Sequence, residues 1–186
     1  MKTDKDKFQS ETERLVLRLL QSRDYEPWLE GFCNRLPSQY KYDDDKMDST
    51  EWTQEKFNGV VERHHRLVDR DEAYVFGVFR KSDGKHVGKV EFCTIMREEF
   101  QWGLLGYTIH NQYWLRGYGK EAVKEAFNIA FENLHFHRIE AHINVDNRPS
   151  IKLAESVGME FECIRKGFIF EFGEWTDNLV YYKNAK

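Results

Sequence analysis

The chain of 186 residues contains few cysteines and prolines. Its three cysteines, Cys33, Cys93 and Cys163, are far apart, odd in number and without a CxxC pair, which indicates reduced thiols in a cytoplasm rather than a disulfide framework. The three prolines do not cluster, so they mark no linker or domain boundary. We therefore expect a single domain over residues 1–186.

Long apolar runs and an excess of positive charge are also lacking. No stretch of about 20 apolar residues could cross a bilayer, and the charged residues 1–14 lack the apolar segment of a signal peptide. The net charge of −4 argues against a nucleic-acid binder, since phosphate backbones require a basic face. We expect no membrane or nucleic-acid partner, and the acidic balance suits an ammonium-bearing substrate.

A glycine-punctuated basic turn, Trp114–Lys120, stands between an alternating strand and an amphipathic helix. Gly117 and Gly119 let the main chain approach a ligand without a Cβ in the way. The first N–H groups of a helix lack partners, and its dipole favours a negative charge there by roughly 0.3–1 kcal/mol. Arg116 and Lys120 add side-chain donors, so the turn predicts a phosphate site.

Four kinds of structure use such a turn. A mononucleotide P-loop is excluded, because Glu121 stands where Ser or Thr is required. The dinucleotide fingerprint GxGxxG/A is matched by Gly117, Gly119 and Ala122, with Asp146 after the next strand, so a Rossmann-type site stays open from this motif alone. A coenzyme A pyrophosphate loop, Q/R-x-x-G-x-G/A, is the third candidate. A helix entry in which glycine serves only as a turn is the fourth.

The first half of the chain predicts one strand, two helices and three further strands. Pro37 should stop the first helix, and Ser49 or Thr50 with Glu51 should open the second. Short turns join the last three strands, which predicts an antiparallel meander. A Rossmann domain would instead alternate strand and helix from its start, so the meander counts against the dinucleotide site. The predicted ranges are Leu15–Leu20, Asp24–Leu36, 51–68, Ala73–Arg80, Val87–Met96 and Gln101–His110.

In the second half, a helix follows the glycine turn and carries an apolar stripe from Val123 to Leu134. A cleanly alternating strand from Arg138 to Val145 comes next. A short helix then opens at Asp146–Ser150 and ends at Gly158 in the left-handed conformation. Aromatic strands 161–172 and 175–182 close the chain as a hairpin, which serves core packing and in part an acceptor pocket or a dimer seam.

Two clusters of metal-ligating residue types do not amount to a metal site. Asp43, Asp44 and Asp45 lack the glycine and terminal glutamate of an EF-hand loop, so we expect them in a solvated loop. His135 and His137 are spaced i, i+2 and have no third or fourth ligand nearby. The sequence therefore predicts no metal.

The order of these motifs resembles the GNAT superfamily of acetyl-coenzyme-A-dependent N-acetyltransferases. The motifs are W-L-R-G-Y-G-K-E-A, R-I-E-A-H-I-N-V and D-N-R-P-S-I-K-L-A-E-S-V-G-M, followed by an F-E hairpin. Within the superfamily the chain looks most like the RimJ/RimL-type branch, which includes enzymes that acetylate protein N-termini. The likeness is dense over Gly88–Tyr182 and thin over Pro37–Arg70. It implies an α+β fold, in which a mixed, mostly antiparallel central sheet has helices on both faces.

The resemblance also implies which residues hold the coenzyme. Tyr107, Thr108 and Ile109 fall on the strand that pairs with the pantetheine arm, and Asn147 and Ser150 match an Asn-x-x-Ser that faces the cofactor near its sulfur. The family loop often begins with Gln or Arg and then Gly, where this chain has Trp and Leu, and losing that glycine costs some backbone freedom. The loop residues implied are Leu115, Arg116, Gly117, Tyr118, Gly119 and Lys120.

Acetyl transfer to a primary amine requires a base, an oxyanion donor and a group that assists the leaving thiolate. Glu91 is the candidate base, because burial in mid-strand would raise its pKa and water could relay the proton; pairing with a Lys or Arg across the sheet is the alternative. An N–H near Thr108 or Ile109, freed by a strand bulge as the resemblance suggests, would serve the oxyanion. Ser150 is the candidate acid, with helix capping as its alternative. His110 could titrate near neutrality, but a surface position is the expectation.

The sequence thus predicts a cytoplasmic N-acetyltransferase that uses acetyl-CoA as cosubstrate and proceeds by direct attack of an amine on the thioester. The acceptor is a small amine or a protein N-terminus. Two alternatives stay open: a non-catalytic acyl-CoA-binding sensor and a nicotinamide-dependent oxidoreductase. Acceptor specificity would lie with the first two helices and the final hairpin, where the resemblance is weakest.

Overall fold

An eight-stranded sheet forms the centre of the computed structural model, which describes residues 7–186. Part of the charged start on which the expectation of no signal peptide rests, residues 1–6, lies outside the described residues. Within the described chain the strands follow the order β1-β2-β3-β4-β5-β6-β8-β7. Their bounds are β1 Gln9–Glu11, β2 Leu15–Leu19, β3 Ala73–Arg80, β4 His86–Met96, β5 Trp102–Ile109, β6 Arg138–Asn144, β7 Glu160–Glu171 and β8 Glu174–Asn184.

Every neighbouring pair of strands in residues 7–186 is antiparallel except β5 and β6. The predicted meander of β3, β4 and β5 is therefore confirmed. A dinucleotide-binding domain is built from parallel strands joined by helices, so this topology contradicts the oxidoreductase alternative.

Four α-helices pack on the sheet in the described part of the chain: α1 Tyr25–Cys33, α2 Gln54–Asp69, α3 Tyr118–Asn128 and α4 Arg148–Ser156. The first ends at Cys33, capped by Asn34, so it does not extend to Pro37 as predicted. The second begins later than predicted, because Ser49–Glu51 forms a separate 3₁₀ turn and the Thr53 hydroxyl caps α2. None of these helices is long and apolar enough to span a membrane.

The apolar residues divide into two clusters on opposite faces of the sheet. The predicted stripe from Val123 to Leu134, which begins on α3 and continues through the helical turn Ile129–Asn133, is buried in the larger cluster with β-strand residues such as Phe92. Trp28 of α1 and Phe57 of α2 form the smaller cluster on the other face. Successive strand residues point to opposite faces, which is why the alternating strands require helices on both sides. The α+β fold predicted from the sequence is confirmed.

Strands β5 and β6 pair over only three residues at their starts and then separate. The last pair joins Leu104 to Glu140, although β5 continues to Ile109 and β6 to Asn144. The edge of β5 that faces β6 therefore has unpaired backbone groups along its second half. This separation opens the sheet beside the N-terminal ends of α3 and α4.

The bulge expected at Thr108 or Ile109 is absent. The β4–β5 register runs without a shift from Gly88–Ile109 to Thr94–Gly103. His110 N donates to Val87 O of β4 at 2.9 Å. Because the backbone groups of successive strand residues point to opposite sides, those of Ile109 point away from β4. The free groups come from strand separation rather than from a bulge.

Candidate active site

The separation of β5 and β6 leaves a cleft of about 670 Å³. It is bordered by the end of β5, the first turns of α3 and α4, and the loop after α1. Of the residues predicted to contact a coenzyme or to catalyse, only Arg116 and Glu91 do not line it. Those that do are Tyr107, Thr108, Ile109, Leu115, Gly117, Tyr118, Gly119, Lys120, Asn147 and Ser150.

The loop that enters α3 borders this cleft and has a run of backbone N–H groups without acceptors. Within the described residues, no N–H group from Leu115 to Lys120 donates a hydrogen bond, whereas Glu121 N bonds to Gly117 O at 3.1 Å. Gly117 is the N-cap of α3 and has a φ of 80°, which glycine adopts without steric cost. A phosphate would supply the acceptors that these groups lack.

Leu115 has the same left-handed backbone conformation without being glycine. Its φ is 59°, and its side chain is fully exposed. Such a conformation costs a residue with a Cβ roughly 1–2 kcal/mol. The backbone freedom that the missing glycine would provide is therefore needed at this position, and neighbouring contacts must hold the loop in place.

Four cationic side chains border the cleft: Arg35, which is paired with Asp43, Lys120 on α3, and both Arg148 and Lys152 on α4. The last two share a helix face because they are spaced i, i+4. Neither was predicted from the sequence, although this spacing next to the Asn-x-x-Ser motif was a usable signal. Arg116, by contrast, is exposed and does not line the cleft.

Asn147, not Ser150, caps α4. Asn147 Oδ1 accepts from Ser150 N at 3.3 Å, and the Ser150 hydroxyl does not cap the helix. Tyr107 Oη donates to Ser150 O at 3.2 Å, which ties β5 to α4 across the opening. Burial raises the pKa of Tyr107, so its phenol stays protonated at neutral pH. The hydroxyl of Ser150 lines the cleft beside the Tyr107 phenol.

Glu91 lies outside the cleft on β4. Its carboxylate is partly exposed and ion-paired with Lys89 Nζ at 2.9 Å. The carboxylate does pair with a lysine, but the predicted pairing across the sheet is wrong, because Lys89 lies on the same strand. A Cβ on Gly106 would be 2.8 Å from Glu91 Oε1, so the carboxylate lies against the β5 backbone. Its role as a base stays a prediction.

The predicted solvated loop of aspartates is wrong for Asp43. This carboxylate is 7% exposed and forms an ion pair with Arg35, which is 1% exposed. Asn111 Nδ2 donates to Asp43 Oδ2 at 2.9 Å, and Arg35 Nε donates to Asp44 O at 3.1 Å. The pair fixes the loop after α1 to the segment after β5. Nothing local in the sequence indicated that this carboxylate would be buried.

His110 is also buried rather than at the surface. Its Nε2 lies 3.1 Å from His86 Nδ1, and its Nδ1 lies 3.3 Å from Arg35 Nη1. Burial, helped by His86 and Arg35, lowers the pKa of His110 to about 2. Burial lowers the pKa of His86 to about 3. A titration near neutrality is therefore wrong for His110, and both rings are neutral at pH 7.

Residues 37–45, the tyrosine loop, cross the open side of the cleft. The ring of Tyr40 contacts Trp114 edge-on at 5.7 Å, on the β5 side. Tyr42 donates to the Asp146 carboxylate and contacts Phe172 at 5.6 Å, on the side of β6 and the final hairpin. Neither tyrosine was predicted from the sequence, because both lie in the region with least resemblance. In residues 7–186, no group of three or more potential ligands is placed to hold a metal ion.

Comparisons with known proteins agree with this geometry. A family model described as "Acetyltransferase (GNAT) domain" matches residues 14–160. The "Probable N-acetyltransferase YjcK" of Bacillus subtilis is 33% identical over 65% of this chain and 66% of its own length, just under two thirds. The "[Ribosomal protein uS5]-alanine N-acetyltransferase" of Escherichia coli is 25% identical over 91% of this chain and 87% of its own. Mycobacterium smegmatis RimJ, solved in complex with CoA-disulfide, has the same fold, with a TM-score of 0.75 at 20% identity over 92% of this chain and 82% of its own.

Proposed function

Since this chain belongs to the GNAT acetyltransferase family, we propose that it transfers acetyl from acetyl-CoA to a primary amine. The amine nitrogen attacks the thioester carbonyl, the C–S bond breaks, and an amide and free coenzyme A thiol are formed. Acetyl-CoA supplies the activated acyl group and its phosphates supply the binding charge. The residues of the chain have to bind the phosphates, stabilise the oxyanion and move one proton from the amine to the thiolate.

The observation that carries this proposal is the row of free N–H groups from Leu115 to Lys120 at the cleft. A run of amides at a helix N-terminus suits a pyrophosphate, because each phosphate oxygen accepts several hydrogen bonds. Lys120, Arg148 and Lys152 add positive charge around the same cleft. The neighbour from M. smegmatis, which was solved with CoA-disulfide, supports coenzyme A as the ligand.

Strand separation suggests how the reacting centre is served. The backbone N–H of Ile109 points away from β4 towards the opening and is our proposed oxyanion donor. The N–H of Thr108 is less suitable as an oxyanion donor, because the backbone groups of Thr108 face β4. Its carbonyl oxygen would be only 2.1 Å from a Cβ on Gly88 of β4. The hydroxyl of Ser150, which lines the cleft, would protonate the leaving thiolate. Glu91 would act as base through water, since it does not line the cleft.

For the acceptor, we propose the α-amine of a protein N-terminus. The E. coli relative is named for acetylating an alanine of ribosomal protein uS5, which supports this acceptor class. Tyr40 and Tyr42 of the tyrosine loop line the cleft and Phe172 contacts Tyr42, so aromatic side chains are available to an acceptor peptide on this side. A small amine is the competing acceptor.

Calorimetry with acetyl-CoA, followed by a thiol-release assay, tests the proposal. Three acceptors separate the amine classes: a lysine-free peptide with a free N-terminus, an N-blocked peptide with one lysine, and a polyamine. We expect coenzyme binding, with thiol release that is fastest for the first peptide. Binding without amine-dependent release would favour the acyl-CoA-binding sensor, and absence of binding would refute the proposal.

Gly119→Trp should abolish coenzyme binding. A Cβ at Gly119 would lie 3.5 Å from Leu153 and 3.6 Å from Ile109, both cleft residues, so an indole there would occupy the cleft. Gly59→Trp is the matched control, since a Cβ at this exposed position of α2 meets nothing within 4 Å. Both variants should retain the wild-type melting temperature to within a few degrees. Unchanged affinity in Gly119→Trp would remove the cleft from consideration as the coenzyme site.

A further inference from the structure

The strained loop at Leu115 is held from both sides by contacts that do not belong to the loop backbone. On one side, Trp114 Nε1 donates to Ile109 O at 2.6 Å. On the other side, Arg14 Nη1 donates to Arg116 O at 3.0 Å. The unfavourable φ of Leu115 therefore lies between two carbonyl contacts made by side chains.

Arg14 is well placed to hold a backbone carbonyl because its guanidinium is itself immobilised. Its Nε donates to Glu121 Oε2 at 2.7 Å, and its Cζ lies 4.7 Å from the centre of the Tyr118 ring. Glu121 also accepts from Arg14 N at 3.1 Å and from the Thr12 hydroxyl. The β1–β2 turn thus meets the first turn of α3 through one rigid, planar donor group.

The contact with the Arg116 carbonyl sets the direction of the next N–H group. The peptide between Arg116 and Gly117 is trans and planar, so its N–H points opposite to its carbonyl. Since Arg14 takes the carbonyl, the Gly117 N–H points away from Arg14. A Cβ on Gly117 would be 3.3 Å from Arg14 Nη2. A larger residue at position 117 would therefore have to displace the Arg14 guanidinium.

We propose that Arg14 is a positioning residue for the coenzyme phosphates, and that it acts by clamping the Arg116–Gly117 peptide of the anion loop. Trp114 is the second clamp, because its indole N–H donates to the Ile109 carbonyl and so holds the start of the loop. Neither guanidinium nor indole N–H needs to touch the ligand for this role. The inference rests on the proposed function, because it assumes that the loop binds the phosphates of coenzyme A.

The test is a comparison of steady-state constants for Arg14→Ala. Loss of one hydrogen bond from a charged donor should raise KM for acetyl-CoA about tenfold, while kcat at saturating coenzyme stays near wild type. The KM for the acceptor should not move. Calorimetric Kd for coenzyme A should rise by a similar factor. Trp114→Phe, which keeps the ring but loses the N–H, should raise this Kd as well.

Leu115→Gly in the Arg14→Ala background tests the positioning role directly. If Arg14 only stabilised the fold, this second substitution would not change the affinity for the coenzyme. Glycine adopts the left-handed conformation without strain, so the double variant should recover part of the lost affinity. Lys81→Ala is the matched control. Lys81 also anchors the β1–β2 turn, through Thr12 O at 2.9 Å and Glu11 at 2.7 Å, but it does not contact the loop, and its removal should leave KM unchanged.

The outcomes separate this inference from the function on which it rests. If the wild type binds coenzyme A and Arg14→Ala binds it equally well, the clamp is refuted and the proposed function stands. If kcat falls with KM unchanged, or Lys81→Ala matches Arg14→Ala, Arg14 has a structural role only and the clamp is likewise refuted. If the wild type binds no coenzyme, the proposed function fails and this inference fails with it.

Discussion

Lowering the pH from 7 to 5 should destabilise the fold through the buried His86–His110 pair. The two side chains are 2% and 1% exposed and are joined through ring nitrogens 3.1 Å apart. Burial lowers the pKa of His86 to about 3 and that of His110 to about 2. The charged groups around them are Arg35 beside His110, and Arg18 and Asp24 near His86.

The sign and size follow from linkage. Both folded-state pKa values lie below the ordinary value of 6.5. Between pH 6.5 and 3 these histidines therefore bind protons in the unfolded chain but not in the folded chain. The stability from these groups is complete above pH 6.5 and declines as the pH falls. By pH 5 each buried histidine should remove about 2 kcal/mol from the free energy of unfolding, and the pair about 4 kcal/mol.

This pH window isolates the histidines from the carboxylates. Residues such as Glu121 and Glu140 have lowered pKa values, and their contribution is lost only as the pH falls below the ordinary value of 4.5. His64, whose burial lowers its pKa to about 4, adds a smaller loss of the same sign because its side chain is partly exposed. The loss between pH 7 and 5 should therefore come mainly from the pair.

Urea unfolding at pH 7, 6 and 5 measures the effect. His110→Gln should lose about half of the pH dependence attributed to the pair, whatever its stability at pH 7. His137→Gln is the control, since His137 is exposed and its removal should leave the slope unchanged. A wild-type free energy of unfolding at pH 5 within about 1 kcal/mol of the pH 7 value would refute the reasoning, because it is less than half the loss expected from a single histidine. Titration of His110 near pH 6 by NMR would refute it as well.

Two further predictions concern residues beside the cleft. Glu91→Gln should lower turnover and flatten its rise with pH, because an amide cannot accept the proton of the amine; a rate profile identical to wild type would remove Glu91 from the mechanism. Arg35→Met should cost about 3–5 kcal/mol in urea unfolding, because it leaves the buried Asp43 carboxylate without its cation, and adding Asp43→Asn should recover part of the loss. If Arg35→Met unfolds like the wild type, the pair does not anchor the loop after α1.

Much of the fold was predictable because its signals are local. The apolar stripe that begins on α3 and the alternation in β6 indicate which faces are buried, because backbone geometry fixes the periodicity of helices and strands. Gly117 marks a backbone position that requires a positive φ, which a sequence records directly. The same locality explains the errors in helix bounds, because both a 3₁₀ turn at Ser49–Glu51 and a continuous helix fit that composition.

The candidate site was predictable only where one segment supplies it. The amides of residues 115–120 and the cap at Asn147 each come from a continuous stretch whose residue types have a mechanism. The resemblance suggested a bulge at the end of β5, but the free groups there come from separation of β5 and β6. That separation depends on where pairing of two distant strands stops, which no local pattern encodes.

The sequence by itself determined the alternation of elements, the glycine turn ahead of α3 and the family. Only the tertiary structure decided that Asp43 meets Arg35 in the interior, that His86 and His110 are buried together, and that Arg14 reaches the loop 102 residues away. Charged and polar residues are indistinguishable in a sequence whether they face water or one another. Burial arises from contacts between distant segments, so only the folded chain shows which of these groups lose their solvent.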